Sequence, residues 1–355
     1  MDHDRFDDGP PPGGRTRAPN NPTVCRPVVS AAPPGCSFEE LFIAHYATIR
    51  RVCESTRRRG VALFVMQERA LVAAGTLMAK AFDINTAVLG RHGVADVSVE
   101  GDEGLSLRHA VVVLHPCLGD EELRVRVVDL RSSAGFVDEQ GRSLESVETE
   151  GPLFLRCSEQ SLLLLPTEGA PLPWPDDAHD GWLCIPERVL LRELPPPPGR
   201  GRGAGAQAVW DPAAADRRSR PAQRQSFIWF FGGPAFAAPS LVAPDELAKA
   251  ELIVHGPDDV SRMAIGPSAL ARGVLIGRYE RCDGHGLPAL ASEAISRVHL
   301  LVTEVRGTPY AIDLASINGV WSGEQRIRST PLVSGQALKL ADGRVWLEWR
   351  LSATS

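Results

Sequence analysis

The chain has 355 residues, of which 43% are hydrophobic and 23% charged, and it carries 38 basic against 44 acidic residues. The net charge of −6 argues against a protein whose whole surface attracts nucleic acid, and the length favours about two domains. No signal-peptide pattern opens the chain. The sequence also has no helical run of 18 apolar residues, the pattern that would predict a membrane span, so we expect a cytoplasmic protein.

The N-terminal part divides into a tail and a helix. Residues 1–36 are polar and rich in Pro, Gly and Asp, a composition typical of disorder. Ser37 and Glu40 then have the spacing of a capping box, and apolar residues recur at helical spacing. The sequence therefore predicts a helix over residues 37–60, with Gly60 in the position of a C-terminal cap.

Two later regions have the pattern of β-sandwiches. In residues 61–166 and again in residues 250–355, short apolar runs rich in β-branched residues alternate with Gly, Asp and Ser. Residues 67–82, rich in Ala, Leu and Met, do not fit this pattern and could be helical, so the structure of this segment stays open. We predict an all-β protein with two sandwiches.

The segment between the sandwiches has a different composition. Residues 167–225 comprise a Pro- and Trp-containing extension and then a Pro-, Gly- and Arg-rich stretch, which predicts a flexible linker. Residues 226–249 form an apolar lead-in to the second sandwich, with an aromatic run at 227–231. The arginines fit a solvated linker better than a nucleic-acid arm, but binding of nucleic acid through them stays an alternative.

The two sandwich regions share an ordered set of residues, which indicates an internal duplication. The second region contains Gly277-Arg278, Ser296-x-x-His299 and Asp313 followed six residues later by Gly319; the first contains Gly90-Arg91, Ser106-x-x-His109 and Asp129 followed six residues later by Gly135.

This ordered set resembles the forkhead-associated (FHA) domain, a β-sandwich that binds phosphothreonine. The resemblance is strong over residues 250–351 and weaker over residues 61–166. It implies phosphopeptide-binding roles for Arg278, Ser296, Arg297 and Asn318. It implies roles in bracing the binding loops for Gly277, His299, Asp313 and Gly319.

Both copies depart from the family pattern. Ile317 stands where the family usually has Thr or Ser, so one hydroxyl contact is missing. The N-terminal copy keeps Arg91, Ser106 and Ser133 as a candidate second phosphate site, but Ala134 replaces the asparagine. We therefore expect this copy to be degenerate or structural.

These observations predict a phosphothreonine-peptide-binding adaptor that acts downstream of a Ser/Thr kinase. Its partner would be a phosphothreonine-containing protein, either such a kinase or its substrate. We expect no catalytic residues, no metal, no cofactor and no membrane partner, because no nucleophile–base pair, phosphate-binding P-loop or metal-ligand set emerges. The first alternative is an interaction scaffold whose binding does not depend on phosphorylation.

Overall fold

The computed structural model describes residues 23–25, 36–67, 69–168, 174–195 and 240–352. Most of the predicted tail, the Gly- and Arg-rich stretch and the aromatic run at 227–231 lie outside these residues. The described part is mainly β, which confirms the predicted all-β class, and its strands form four sheets.

The N-terminal half forms the first sandwich, which has two sheets. Its described strands are β1 (Thr23–Cys25), β2 (Arg59–Gln67), β3 (Ala70–Met78), β4 (Asn85–Gly90), β5 (Val97–Ser98), β6 (Ala110–Leu114), β7 (Arg124–Asp129), β8 (Phe136–Val137), β9 (Ser143–Leu144), β10 (Ser146–Glu150), β11 (Leu153–Cys157), β12 (Gln160–Glu168) and β13 (Arg188–Leu194). The sheet that faces the second sandwich, called the inner sheet, has the order β1-β13-β10-β7-β6-β4-β5. The other sheet, called the outer sheet, has the order β3-β2-β12-β11-β8-β9.

The C-terminal half forms the second sandwich. Its described strands are β14 (Ser240–Leu241), β15 (Ala250–His255), β16 (Val260–Ile265), β17 (Val274–Ile276), β18 (Leu300–Val305), β19 (Thr308–Asp313), β20 (Val320–Ser322), β21 (Gln325–Ile327), β22 (Ser329–Pro331), β23 (Gln336–Leu340) and β24 (Val345–Leu351). Here the inner sheet has the order β17-β18-β19-β22, and the outer sheet has the order β14-β16-β15-β24-β23-β20-β21.

The two sandwiches are copies of one topology. In the inner sheets, β4, β6, β7 and β10 correspond in order to β17, β18, β19 and β22. In the outer sheets, β3-β2-β12-β11-β8-β9 corresponds strand by strand to β16-β15-β24-β23-β20-β21. Only β1, β5, β13 and β14 fall outside this match among the described strands. The shared strand order thus agrees with the internal duplication seen in the sequence.

The predicted N-terminal helix is present but is divided and shorter than expected. The structure has α1 (Phe38–Ala44) and α2 (Tyr46–Ser55), with a break at His45. The capping box forms as predicted, because Ser37 Oγ accepts the Glu40 N–H and the Glu40 carboxylate accepts the Ser37 N–H. The prediction of helix up to residue 60 is wrong, because the residue after α2 is already extended and the chain soon enters β2.

Gly60 lies inside β2 and therefore does not cap a helix. A Cβ atom at Gly60 would lie 2.3 Å from the backbone oxygen of Leu77 on β3, so the close approach of the two strands requires glycine here. The same pairing settles the segment 67–82, in which Ala70–Met78 is a strand. Its Ala, Leu and Met residues favour helix locally, but pairing with β2 overrides that preference.

The extension assigned to residues 167–225 also contributes to the first sandwich. Residues 188–194 form β13, which pairs with β10 in the inner sheet. The preceding helix α3 (Ala178–Leu183) packs with α1 and α2 on the outer sheet, where Phe42, Phe154 and Trp182 form an aromatic cluster. In the second sandwich, α4 (Pro267–Arg272) precedes β17, and a short 3-10 helix spans Pro288–Ala291. None of the helices in the described ranges has the length and apolarity needed to span a membrane.

The inner sheets of the two sandwiches pack against each other. Besides a core of its own, each sandwich contributes to one shared apolar cluster. Val111 of β6 and Leu301 of β18 hold equivalent positions in the two copies, as do Val128 of β7 and Ile312 of β19, and all four belong to this cluster. The same face of each copy is therefore buried, which gives the interface an approximate two-fold character.

Buried arginines cross this interface. Arg126 of β7 is fully buried, and its guanidinium donates to the Ser146 and Thr303 hydroxyls, each at 2.8 Å, and to the backbone oxygen of Ala271. Burial lowers the pKa of Arg126 to about 10, so the side chain stays charged at neutral pH. Ionic contacts between Arg131 and Asp283 and between Arg306 and Glu121 also join the sandwiches. The interface therefore combines apolar burial with satisfied buried charge.

A buried histidine is expected to make the fold acid-sensitive. The His115 side chain is 1% exposed, and neither ring nitrogen has a hydrogen-bond partner among the described residues. Burial, together with nearby Arg126, lowers the pKa of His115 to about 3. An unfolded chain binds this proton below an ordinary pKa of about 6.5, so stability is lost as the pH falls from there towards 3.

We expect the free energy of unfolding to be about 2 kcal/mol lower at pH 5 than at pH 7.5 through His115 alone. Urea unfolding at the two pH values measures this difference. The His115→Leu variant should lose that part of the pH dependence, because leucine takes up no proton. Equal pH dependence in the wild type and the variant would contradict the assignment.

Candidate functional site

Three loops meet at one end of the second sandwich. The first follows β17 and contains Gly277 and Arg278, the second precedes β18 and begins at Ser296, and the third joins β19 to β20. The Arg278 N–H donates to the Ser296 oxygen at 3.3 Å, which joins the first two loops. A Cβ atom at Gly277 would lie 2.3 Å from the Arg297 oxygen, so this close approach requires glycine.

Ser296 and His299 connect the second loop to the third. Ser296 is buried, and its hydroxyl accepts the Ile317 N–H at 3.3 Å. His299 Nδ1 accepts the Ser296 N–H at 3.0 Å, so its Nε2 carries the proton and donates to the Gly319 oxygen at 3.1 Å. Burial lowers the pKa of His299, which keeps the imidazole neutral in this arrangement. His299 thus holds the second and third loops together through these two hydrogen bonds.

The third loop, residues 313–319, is held by its own side chains. Asp313 Oδ1 accepts the Ser316 N–H at 3.1 Å, and Ser316 Oγ accepts the Gly319 N–H at 3.0 Å. Gly319 has φ +81°, a left-handed conformation that favours glycine. Asn318 is exposed on this loop, and its Nδ2 donates to the Ala294 oxygen at 2.9 Å, which fixes the amide beside the second loop.

The four predicted binding residues lie on these three loops. Arg278 and Arg297 are exposed, and their backbones are joined because the Tyr279 N–H donates to the Arg297 oxygen at 2.9 Å. Ser296 and Asn318 are brought together through the contact between Ser296 and Ile317. The loops therefore present two guanidinium groups, a hydroxyl and a carboxamide at one end of the sandwich.

One further cation at this site lies outside the recognised motif. Arg326 on β21 donates from Nη2 to the Ser316 oxygen at 2.9 Å, and its guanidinium lies 4.0 Å from Asp313 Oδ2. A Cβ atom at Gly319 would lie 2.5 Å from Arg326 Nε, so the side chain packs directly against the third loop. Arg326 lies on the β20–β21 hairpin, which comes directly after the motif in the chain. No spacing in the sequence distinguishes it from other exposed arginines.

The first sandwich repeats the hydrogen bonds that join the three loops. The Arg91 N–H donates to the Ser106 oxygen at 3.1 Å, and the Ser106 hydroxyl accepts the Ser133 N–H at 3.3 Å. His109 Nδ1 accepts the Ser106 N–H at 3.2 Å, and its Nε2 donates to the Gly135 oxygen at 2.8 Å. The hydrogen bonds that join the three loops are therefore kept in both copies.

The copies differ in the side chains that this framework presents. Ala134 occupies the position of Asn318, and Leu107 occupies the position of Arg297. Arg91 and Ser133 are exposed, and Ser106 is half-buried. The candidate second site thus has one arginine and two hydroxyls, but no carboxamide that could hold a peptide backbone.

A family model agrees with the sequence resemblance for the second sandwich. Residues 274–341 match the family model described as the FHA domain. Solved structures that resemble the chain include FHA-1 of Mycobacterium tuberculosis Rv1747, at 27% identity, which covers 30% of this chain and 99% of that chain with a TM-score of 0.24.

Two further structures resemble the chain in the same way. The FHA domain of CT664 from Chlamydia trachomatis matches at 20% identity, covering 30% of this chain and 96% of that chain with a TM-score of 0.24. The FHA1 domain of yeast Rad53 matches at 17% identity, covering 31% and 80% with a TM-score of 0.26. Among the curated proteins, none matches this chain significantly.

Proposed function

We propose that this protein binds phosphothreonine-containing partners through the three loops of its second sandwich. The match of residues 274–341 to the FHA domain model supports this proposal. The observation that carries the proposal is the convergence of Arg278, Ser296 and Asn318 on one hydrogen-bonded loop framework. The chain would then be a binding module that acts as an adaptor downstream of a Ser/Thr kinase, and its partner would be such a kinase or one of its substrates.

The chemistry of the loops suits a phosphorylated side chain. A phosphothreonine carries nearly two negative charges and three acceptor oxygens at neutral pH. In the proposed mode, Arg278 supplies charge-assisted hydrogen bonds, Ser296 donates its hydroxyl, and Arg297 adds positive charge. Each bond to a charged group contributes about 1.5–3 kcal/mol net. Such a local basic pocket is compatible with the net charge of −6 on the whole chain.

The remaining loop residues would recognise the peptide and hold the framework. One Asn318 amide N–H already contacts the Ala294 oxygen, so the other N–H and the carbonyl oxygen are the groups proposed to contact the peptide backbone. His299, Asp313 and Gly319 would keep the loops in place, as Gly277 does by allowing close approach. The first sandwich lacks the carboxamide, and we assign it a structural role.

A peptide array tests the proposal. The full chain is applied to peptides of degenerate sequence that carry threonine, phosphothreonine or phosphoserine at the centre. We expect retention on phosphothreonine peptides and loss of that retention in the Asn318→Ala variant, with Gln325→Ala as a control on the exposed β21 hairpin. Equal retention on phosphorylated and plain peptides would instead favour a phosphorylation-independent scaffold, a reading that the packing of the two sandwiches also allows.

The missing hydroxyl at position 317 leads to a gain-of-affinity prediction. Ile317 is 64% exposed, and its N–H donates to Ser296 Oγ, so a side-chain hydroxyl here would lie beside the proposed phosphate position. Ile317→Thr is expected to raise the affinity for a phosphothreonine peptide by about 2- to 10-fold, the value of one added hydrogen bond.

Fluorescence polarisation with a labelled phosphothreonine peptide measures this change. Ile317→Val is the matched control, because it keeps the branched shape of threonine without the hydroxyl. An equal gain in both variants would mean that shape, and not a hydrogen bond to phosphate, improves binding.

A further inference from the structure

A buried arginine of the first sandwich contacts the proposed binding loop of the second. Arg108 lies in the second loop of the first sandwich, at the position that Val298 occupies in the other copy. The residue is only 6% exposed. Its Nε donates to the Leu314 oxygen at 2.5 Å, and its Nη2 donates to the Ala315 oxygen at 2.5 Å. The guanidinium thus donates to two backbone carbonyls of the neighbouring sandwich.

These two carbonyls lie at the start of the loop that carries Asn318. Ala315 has φ +52°, a left-handed conformation that a residue with a side chain seldom adopts. The next residue, Ser316, makes the bonds through its N–H and hydroxyl that shape the rest of the loop. Arg108 therefore holds the loop at the point where its backbone takes an unfavourable turn.

A reciprocal contact exists in the opposite direction. Arg281 follows Arg278 by three residues in the first loop of the second sandwich. Its Nη1 donates to the backbone oxygens of Arg131 and Ser132 at 3.4 and 3.3 Å, in the third loop of the first sandwich. Arg131 is the counterpart of Ala315, and it too has a positive φ, +57°. Each sandwich thus contributes one arginine to the third loop of the other.

We propose that Arg108 is a positioning residue for the phosphopeptide site: through it, the first sandwich holds loop 313–319 of the second sandwich in the conformation that binds the peptide. This inference rests on the proposed function. Without the arginine, the strained backbone at Ala315 would relax, and the binding-competent conformation would be only partly populated. The apparent affinity falls in proportion to that population. The first sandwich, although degenerate as a binding site, would then be needed for binding by the second.

The test replaces Arg108 with the residue of the other copy. Arg108→Val in the full chain is expected to increase amide hydrogen exchange over residues 314–319 by about 10-fold and to leave exchange in β18 and β24 unchanged. The affinity for a labelled phosphothreonine peptide chosen from the array should fall by about 10-fold. Arg108→Lys, which keeps a charged donor, should recover part of both effects.

A second interface variant serves as the control. Arg306 lies in the turn between β18 and β19, at the opposite end of these strands from the binding loops, and its Nη1 contacts Glu121 Oε2 of the first sandwich at 2.7 Å. Arg306→Gln removes a cross-interface contact without touching loop 313–319. It should leave both the loop exchange and the peptide affinity unchanged. Equal effects of the two variants would show a general weakening of the interface and would overturn the proposal.

The two readouts separate this inference from the proposed function. Exchange of residues 314–319 needs no ligand, so unchanged exchange in Arg108→Val overturns the positioning role even if the wild type binds no phosphopeptide. Increased exchange with unchanged affinity also overturns it, because the arginine would then be structural only. If the wild type prefers no phosphorylated peptide, the proposed function fails, and the positioning role for a phosphopeptide fails with it.

Discussion

Replacing Arg278 with alanine is expected to lower the affinity of the full chain for a phosphothreonine peptide by about 100-fold or more. Two charge-assisted hydrogen bonds from one guanidinium, at about 1.5 kcal/mol each, amount to about 3 kcal/mol, which corresponds to that factor. Arg278 is exposed, so its loss should leave the unfolding free energy nearly unchanged. Isothermal titration calorimetry and urea unfolding measure the two quantities.

The control for this variant is another exposed arginine of the same sandwich. Arg262 lies on β16 of the outer sheet, where it pairs with Glu251 at 3.2 Å. Arg262→Ala changes the net charge by the same amount but removes no group from the three loops. We expect its affinity to be close to that of the wild type. A similar loss in both variants would mean that the effect comes from overall charge and that Arg278 has no specific role.

The second large effect is expected at the interface between the sandwiches. Leu301→Asp should lower the free energy of unfolding by at least about 4 kcal/mol, because it buries a carboxylate without a partner. Leu301 is fully buried on the face of β18 that points away from the core of its own sandwich. In a second sandwich that stood alone, this face would meet solvent, and aspartate would be tolerated.

Urea unfolding of the full chain measures this effect, with Val260→Asp as the control at a position that is 60% exposed. The control should change stability by no more than about 0.5 kcal/mol. The wild type should unfold in a single transition, because the two copies share a core cluster. A small effect of Leu301→Asp, equal to that of the control, would contradict the packed arrangement.

The duplication was predictable from the sequence because both copies keep the same side chains at the same spacing, and the resemblance to the FHA domain then implied which of them brace the loops. Ser296 and His299, for example, make the same contacts as Ser106 and His109. Such local patterns need no knowledge of distant packing. The same reasoning also located the capping box at Ser37, in which the bonds join residues three apart.

The interface could not be read in this way. Apolar residues on both faces of a strand, as at Leu300 and Leu301, predict burial but not which partner covers each face. Arg108 and Arg126 belong to a residue type that is usually exposed, and the packed second sandwich provides carbonyl and hydroxyl oxygens that accept hydrogen bonds from both buried guanidinium groups. The residues that join the copies were therefore missed.

The packing of the two sandwiches also affects tests of the proposed binding site. Residues 250–355 alone would expose the inner-sheet face that Leu301, Tyr310 and Ile312 now bury. An apolar patch of this kind promotes association between copies of the fragment. Binding measurements therefore use the full chain, which also retains the Arg108 contact with the third loop.

The most direct test of phosphothreonine recognition compares one peptide in two states. A labelled phosphothreonine peptide enriched on the array and its unphosphorylated twin are titrated with the full chain in a fluorescence polarisation assay. We predict that the phosphorylated peptide binds at least about 100-fold more tightly and that Arg278→Ala removes the difference. Equal affinity of the wild type for the two peptides would contradict recognition of phosphothreonine by this protein.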